Sequence, residues 1–101
     1  MHLIQILLPL ADNEGRSFPG ELFAAVRREL ADRFGGLTAF TRAPAEGFWD
    51  DGGGVARDDV VVLEVMADEL DGAWWAEYRR GLEGRFRQDA VVVRAHEIRL
   101  L

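Results

Sequence analysis

Glu64 is the ionisable side chain of an otherwise apolar run, Val60 to Met66. A carboxylate surrounded by apolar residues needs a cation or a hydrogen-bond donor beside it. A carboxylate without such a partner readily takes up a proton, and a group that exchanges a proton near neutral pH can act as a general acid or base. Glu64 is therefore the candidate catalytic residue of this chain.

Other polar side chains occur where paired strands would bring them close to Glu64. Antiparallel pairing of two neighbouring segments places Thr38 beside Glu64 and Arg42 beside Val60. Gln5 and Arg94 approach Glu64 from the other side. The predicted ligand or interface residues are Gln5, Thr38, Arg42, Trp49, Glu64 and Arg94.

Two interpretations of the polar residues remain open. They could bind an anionic small molecule or perform acid–base chemistry. Alternatively, they could form an ion pair or a hydrogen-bond network that fixes the register of a dimer, because structural ion pairs also place charges in such positions.

Residues 43–58 form a long connection that contains Phe48 and Trp49. Connections of this length are uncommon in compact domains unless they are functional or contain secondary structure. Asp51-Gly52 suits a tight hairpin turn, so the flanking residues could extend two strands into a projecting arm. Phe48 and Trp49 would then pack on their own subunit or on a dimer partner, or would form a lid that stacks on a ligand.

Several kinds of chemistry lack their residues. The chain has no cysteine and no lysine, its single serine is Ser17, and His2 and His96 do not have the spacing of metal ligands. The sequence predicts neither a metal site nor a cofactor. The formal net charge of -6 opposes binding to the phosphates of nucleic acids.

The length of 101 residues suits one domain, residues 1–101, with one hydrophobic core. No apolar run reaches the length of a membrane span, and the first residues lack the features of a signal peptide. We expect a cytoplasmic protein that does not bind membranes.

Periodicity predicts four strands and two helices. The strands are His2 to Leu8, Leu37 to Arg42, Val60 to Met66 and Ala90 to Ala95; one helix follows Ser17 as N-cap and ends near Phe34, and the other begins between Asp68 and Gly72 and ends near Arg87. The order β-α-β-β-α-β predicts an α+β, ferredoxin-like fold, in which two helices cover one face of a four-stranded antiparallel sheet.

The first and third strands are apolar on both faces, although the helices can cover only one. The uncovered face would carry Leu3, Leu7, Phe40, Val60, Val62, Met66 and Val92. Leaving these side chains in water would forgo about 10 kcal/mol, which is comparable to the stability of a whole domain. The pattern therefore predicts a homodimer that buries this face.

The element order resembles the dimeric α+β barrel superfamily, in which two ferredoxin-like subunits pack sheet on sheet. More narrowly, Gly36-Leu37-Thr38 and Gly47-Phe48-Trp49 are similar to a Gly-Leu-Thr and Gly-x-Trp pattern in a family of small uncharacterised bacterial proteins. That resemblance implies the fold and brings no established activity.

The sequence favours a non-catalytic homodimeric α+β module that packs through its open sheet face. The alternative is a small cofactor-independent enzyme, similar to a monooxygenase or an isomerase, that acts on a small organic molecule in a barrel cavity. An enclosed pocket between sheet and helices, lined by Glu64, Arg42 or Trp49, would distinguish the enzyme.

Overall fold

The computed structural model describes the backbone of residues 1–50 and 55–101 and the side chains of residues 1–41 and 59–101. Its elements follow the predicted order. They are β1 (His2–Pro9), α1 (Gly20–Phe34), β2 (Thr38–Asp50), β3 (Val55–Ala67), α2 (Gly72–Arg85) and β4 (Val92–Glu97). The α+β, ferredoxin-like fold predicted from the sequence is confirmed.

The four strands form one antiparallel sheet in the order β2-β3-β1-β4. The two most apolar strands, β1 and β3, therefore occupy its centre. In their register Gln5 lies opposite Glu64, and on the other side Gln5 lies opposite Arg94. Paired residues of neighbouring strands share a face of the sheet.

The helices cover the face that carries Ile4, Ile6 and Leu8 of β1. The alternate residues of β3 lie on the same face, and all six of these side chains are buried. Burial of each is worth roughly 1.5–3 kcal/mol. The full core consists of Ile4, Ile6, Leu8, Phe18, Val26, Leu30, Val61, Leu63, Val65, Trp75, Leu82, Phe86 and Val91.

The start of α1 differs from the prediction. Pro19 is the N-cap and has an extended backbone, whereas Ser17 pairs with Ala11 in an isolated β-bridge. The Phe18 N–H also donates to the Leu10 carbonyl oxygen. These two contacts keep the chain extended up to the proline, so Ser17 does not cap the helix.

The second strand is much longer than predicted, because it continues to Asp50 and pairs with β3 up to Val55. The projecting hairpin considered as one interpretation of residues 43–58 is therefore present. Only residues 51–54 lie between its strands, outside the described residues. The neighbouring strand β1 pairs with β3 only as far as Pro9 opposite Val60, so the hairpin of β2 and β3 extends past the end of β1.

The predicted position of Arg42 opposite Val60 is wrong. The register of β2 shifts between Phe40 and Ala45, and Ala45 takes the place opposite Val60. Pro44 lies within the shifted stretch, and a proline cannot donate to the sheet because it lacks an N–H. We attribute the interruption of the ladder to this residue.

The second helix ends at Arg85, and β4 begins two residues later than predicted, at Val92. Asp71 caps α2 by accepting a hydrogen bond from the Trp74 N–H at 3.1 Å. Neither described helix is long and apolar enough to span a bilayer.

Candidate functional site

The side of the sheet opposite the helices, here called the open face, is mostly apolar. Three of its large side chains are about half exposed: Phe40 at 49%, Met66 at 48% and Val92 at 50%. The alternation of the strands and their register place on this face Leu3, Gln5, Leu7, Thr38, Phe40, Val60, Val62, Glu64, Met66, Val92, Arg94 and His96.

Among the described side chains of the open face, one row of polar residues crosses all four strands, with one residue from each strand. This polar row consists, in spatial order, of Thr38, Glu64, Gln5 and Arg94. The Gln5 Nε2 donates to Glu64 Oε2 at 2.6 Å, and the Arg94 Nε donates to Gln5 Oε1 at 2.8 Å. The two charges of the row are thus joined through the amide of Gln5.

Glu64 and Arg94 do not contact each other within the chain, because β1 lies between their strands. Among the described side chains, the second carboxylate oxygen of Glu64 and both terminal nitrogens of Arg94 make no hydrogen bond. The polar row therefore retains acceptor and donor capacity that faces away from the helices.

The structure thus brings together four of the six residues predicted as a site: Gln5, Thr38, Glu64 and Arg94. The Thr38 hydroxyl is on the row by register and makes no hydrogen bond to a described side chain. The side chains of Arg42 and Trp49 lie outside the described residues.

Glu64 faces away from the helices, so it does not line a pocket between the sheet and the helices. A surface depression does occur at the loop after β1, lined by Asp12, Asn13, Glu14, Arg16 and Arg87. Asp12 accepts the backbone N–H groups of Glu14 and Arg16, both at 2.9 Å, and the hydrogen bond from Arg16 is the main reason that its pKa is lowered. These contacts close the loop on itself, and the depression shares no residue with the polar row.

A second polar cluster joins the two helices and was not found from the sequence. The Tyr78 hydroxyl donates to Glu29 Oε1 at 2.8 Å, and Arg85 Nη1 donates to both carboxylate oxygens, at 2.8 and 3.0 Å. Tyr78 and Arg85 are two turns apart on α2 and so lie on the same face of the helix, which the sequence could have indicated. Their shared partner, Glu29 of α1, follows only from how the two helices pack.

The Glu29 cluster shifts the pKa values of its members. Burial raises the pKa of Tyr78, and the hydrogen bond to the Glu29 carboxylate raises it further. Burial also opposes ionisation of Glu29, yet the hydrogen bonds from Arg85 and Tyr78 outweigh that cost, and the Glu29 pKa is lowered. The cluster therefore holds a carboxylate and a neutral phenol.

The aromatic residues of the helices pack on one another. Trp74 stacks on Tyr78 with 4.8 Å between ring centroids, Phe34 stacks on Trp75 at 5.3 Å, and the Arg33 guanidinium lies 4.0 Å from the Trp74 ring centroid. This packing is typical of core residues rather than of a binding platform. Within the described part of the chain, no three His, Asp or Glu side chains are grouped as metal ligands would be.

No protein-family model and no curated protein sequence matches this chain. Solved structures of similar fold do match. The periplasmic divalent cation tolerance protein CutA from Archaeoglobus fulgidus has a TM-score of 0.64 at 18% identity, over all of this chain and 88% of that chain. The divalent cation tolerance protein Cut A1 from Thermus thermophilus has a TM-score of 0.62 at 12% identity, over 97% of this chain and 84% of that chain.

A phage SAM lyase in complex with S-methyl-5'-thioadenosine is also similar, with a TM-score of 0.59 at 15% identity over 95% of this chain and 80% of that chain. These proteins share one small α+β fold, but their names describe different functions. At such identities the likeness extends to the fold alone, so a function has to be argued from the residues of this chain.

Proposed function

We propose that this protein is a non-catalytic homo-oligomeric module, a single cytoplasmic domain that assembles as a homodimer through its open face. A homodimer is the smallest assembly of identical chains that covers this face on every copy. The polar row, Arg42 and Trp49 belong to that interface, and the hairpin of β2 and β3 completes it.

The half-exposed apolar residues of the open face carry this proposal. Phe40, Met66 and Val92 come from three different strands and lie on the same side of one sheet. Exposed apolar patches of this kind on a protein surface typically mark a protein–protein interface. Covering the exposed half of each of these side chains would contribute about 1 kcal/mol, to which the partly exposed residues of β1 and β3 add.

An assembly assigns a role to the residues of the polar row. Inside an apolar interface, a charged or amide side chain costs desolvation energy unless it is hydrogen-bonded. Gln5 satisfies one oxygen of Glu64 and the Nε of Arg94 within the chain. The polar row can therefore enter an interface with part of that cost already offset, and there it sets the register of the two sheets.

The experiment measures the molar mass of the purified protein by light scattering at micromolar concentration. We expect a homodimer, and we expect Val92→Glu and Met66→Glu to yield monomers with unchanged circular dichroism. Leu70→Glu is the matched control, because Leu70 is also 45% exposed but lies beyond the end of β3, and it should leave the dimer intact.

A monomeric wild-type protein would overturn the proposal. A larger closed assembly that Val92→Glu dissociates would keep the open face as the interface and exclude the homodimer. Binding of S-methyl-5'-thioadenosine by the wild-type assembly, lost in Glu64→Gln, would favour the alternative of an enzyme with a cavity between copies over the non-catalytic module.

A further inference from the structure

The distribution of charge along the polar row determines how two open faces can meet. Gln5 occupies the middle of three adjacent strands, with Glu64 one strand to one side and Arg94 one strand to the other. Neighbouring strands are about 4.8 Å apart, so a negative and a positive group lie at nearly equal distances on either side of β1. When a second copy of the row is laid over the first in the reverse direction, each charge therefore meets the opposite charge.

From this arrangement, and resting on the proposed self-association, we infer that Arg94 of one copy pairs with Glu64 of the next copy across the open faces. The occupant of the open face is a second copy of this chain. The contact that specifies its orientation is a reciprocal ion pair between chains.

Two symmetric ways of packing the faces differ in which charges meet. A two-fold axis that runs between the sheets along β1 reverses the row, so that Arg94 lies over the partner's Glu64 and Gln5 lies over the partner's Gln5. A two-fold axis that runs along the row, across the strands, places Glu64 over the partner's Glu64 and Arg94 over the partner's Arg94. Like charges in an interface cost several kcal/mol, so the first arrangement is favoured.

The apolar part of the open face is compatible with the axis along β1. Leu7 lies opposite Val62 on one side and Val92 on the other, in the row next to Gln5. The same reversal places Val92 over the partner's Val62 and Leu7 over the partner's Leu7. In this row, apolar side chains then meet apolar side chains.

The distances suit this pairing. Packed sheets are about 10 Å apart, and a glutamate and an arginine that extend towards each other can bridge such a gap. Aligned sheets cross at about 30°. For a group that lies about 5 Å from the axis, this rotation is a displacement of only about 3 Å, which the length of an arginine side chain can span. The groups needed are those without a partner among the described side chains: the second oxygen of Glu64 and the terminal nitrogens of Arg94.

The test uses a chain in which the charges are exchanged, Glu64→Arg combined with Arg94→Glu. The exchanged chain keeps one charge of each sign beside Gln5, whose amide can donate or accept on either side, so we expect it to fold and self-associate as the wild type does. When it is mixed with the wild type, however, few mixed dimers should form. In a mixed dimer, each ion pair would be replaced by two like charges, either two glutamates or two arginines. Native mass spectrometry of the mixture, with one chain isotope-labelled, measures the share of mixed assemblies.

Random exchange would make half of all dimers mixed, and the proposal predicts at least a tenfold depletion from that share. A random share would overturn the reciprocal pair while leaving the proposed self-association intact. Enrichment of mixed assemblies would also overturn it, in favour of the axis along the row. A monomeric wild-type protein would instead contradict the proposed function, on which the pairing rests.

A matched control exchanges an exposed pair on α2, Glu77→Arg with Arg80→Glu, which lies on the opposite side of the molecule from the open face. This control should mix randomly with the wild type. If it also sorted from the wild type, charge exchange anywhere on the surface would suffice, and the assignment to Glu64 and Arg94 would be wrong.

Discussion

Tyr78 is the only tyrosine of the chain, so its ionisation can be followed without interference from other phenols. Its hydroxyl donates to Glu29, whose carboxylate also accepts two hydrogen bonds from Arg85. Loss of the phenol proton would place a second negative charge beside Glu29 in a half-buried site. The neutral phenol is therefore the form that the folded protein stabilises.

We predict that tyrosinate absorbance will rise with a midpoint clearly above the ordinary value of 10.0 for a phenol. Because the pKa is raised in the folded state, this contribution to stability is complete below the unfolded pKa and is lost as the pH rises above it. Glu29→Gln should lower the midpoint, since it removes the carboxylate charge, while burial keeps the midpoint above 10.0.

Glu77→Gln serves as the control for the Tyr78 titration, because Glu77 is on the same helix and is exposed to solvent. It should leave the midpoint of Tyr78 unchanged. A wild-type midpoint near the ordinary value, or equal shifts in the two variants, would contradict the proposed action of Glu29 on Tyr78.

Membership of the polar row could be predicted from the sequence where strands alternate and pair regularly, because these two rules give the face and the neighbours of each residue. Gln5, Glu64 and Arg94 belong to the predicted polar residues and lie on strands without a break, and hydrogen bonds join them in the structure. Regular pairing predicts Arg42 opposite Val60, and the register shift between Phe40 and Ala45 makes that prediction wrong. Glu29 was missed because its partners depend on how the two helices pack.

At the scale of elements, the end of α1 depends on one left-handed glycine. Gly35 has a φ of 77°, and its N–H donates to the Ala31 carbonyl oxygen at 2.8 Å. A side chain in this conformation costs about 1 kcal/mol. We predict that Gly35→Ala will lower the free energy of unfolding by about that amount, as measured by chemical denaturation.

The next residue provides the control for Gly35, because Gly36 does not have a positive φ and an added Cβ meets no atom within 4 Å. Gly36→Ala should change the stability by less than about 0.5 kcal/mol or increase it slightly. Equal losses in the two variants would show that the left-handed conformation is not what position 35 requires.

The glycines within α2 are predicted to weaken the helix without serving its packing. An added Cβ at Gly81 or Gly84 meets no atom within 4 Å, so close packing does not require a glycine at either position. Because alanine is favoured over glycine by about 1 kcal/mol within a helix, Gly81→Ala with Gly84→Ala should raise the free energy of unfolding by about 1–2 kcal/mol.

The reverse substitution on the same helix tests whether propensity explains that gain. Ala73 is exposed near the start of α2, and Ala73→Gly should lower the stability by up to about 1 kcal/mol. A loss of stability in the double alanine variant would instead reveal a contact that depends on the glycines.

The elements themselves were largely predictable because each has a local signal. The apolar stripes on α1 and α2 correspond to buried side chains such as Val26, Leu30 and Leu82, and the apolar runs of β1 and β3 form the centre of the sheet. The length of β2 was less certain, because Ala43-Pro44-Ala45 interrupts the pattern of a strand. The structure continues the strand beyond it, since residues 45–50 pair with the far part of β3.

At the scale of the whole molecule, the sheet has two unequal sides. The helices remove the inner side of β1 and β3 from water, while the open face retains half-exposed Phe40, Met66 and Val92. A core limited to one side of the sheet is a modest source of stability in a chain of this size. Association through the open face would therefore add to the stability of each copy.

We predict that the thermal midpoint of the wild-type protein will rise with protein concentration. A folded assembly that dissociates on unfolding gains about 2.7 kcal/mol from a hundredfold rise in concentration, which corresponds to ~6 °C for a dimer of this length. Val92→Glu should have a lower midpoint that does not depend on concentration, whereas Leu70→Glu should follow the wild type. Scanning calorimetry across that concentration range decides the matter, because a wild-type midpoint independent of concentration would mean that the folded chain is stable without a second copy on its open face.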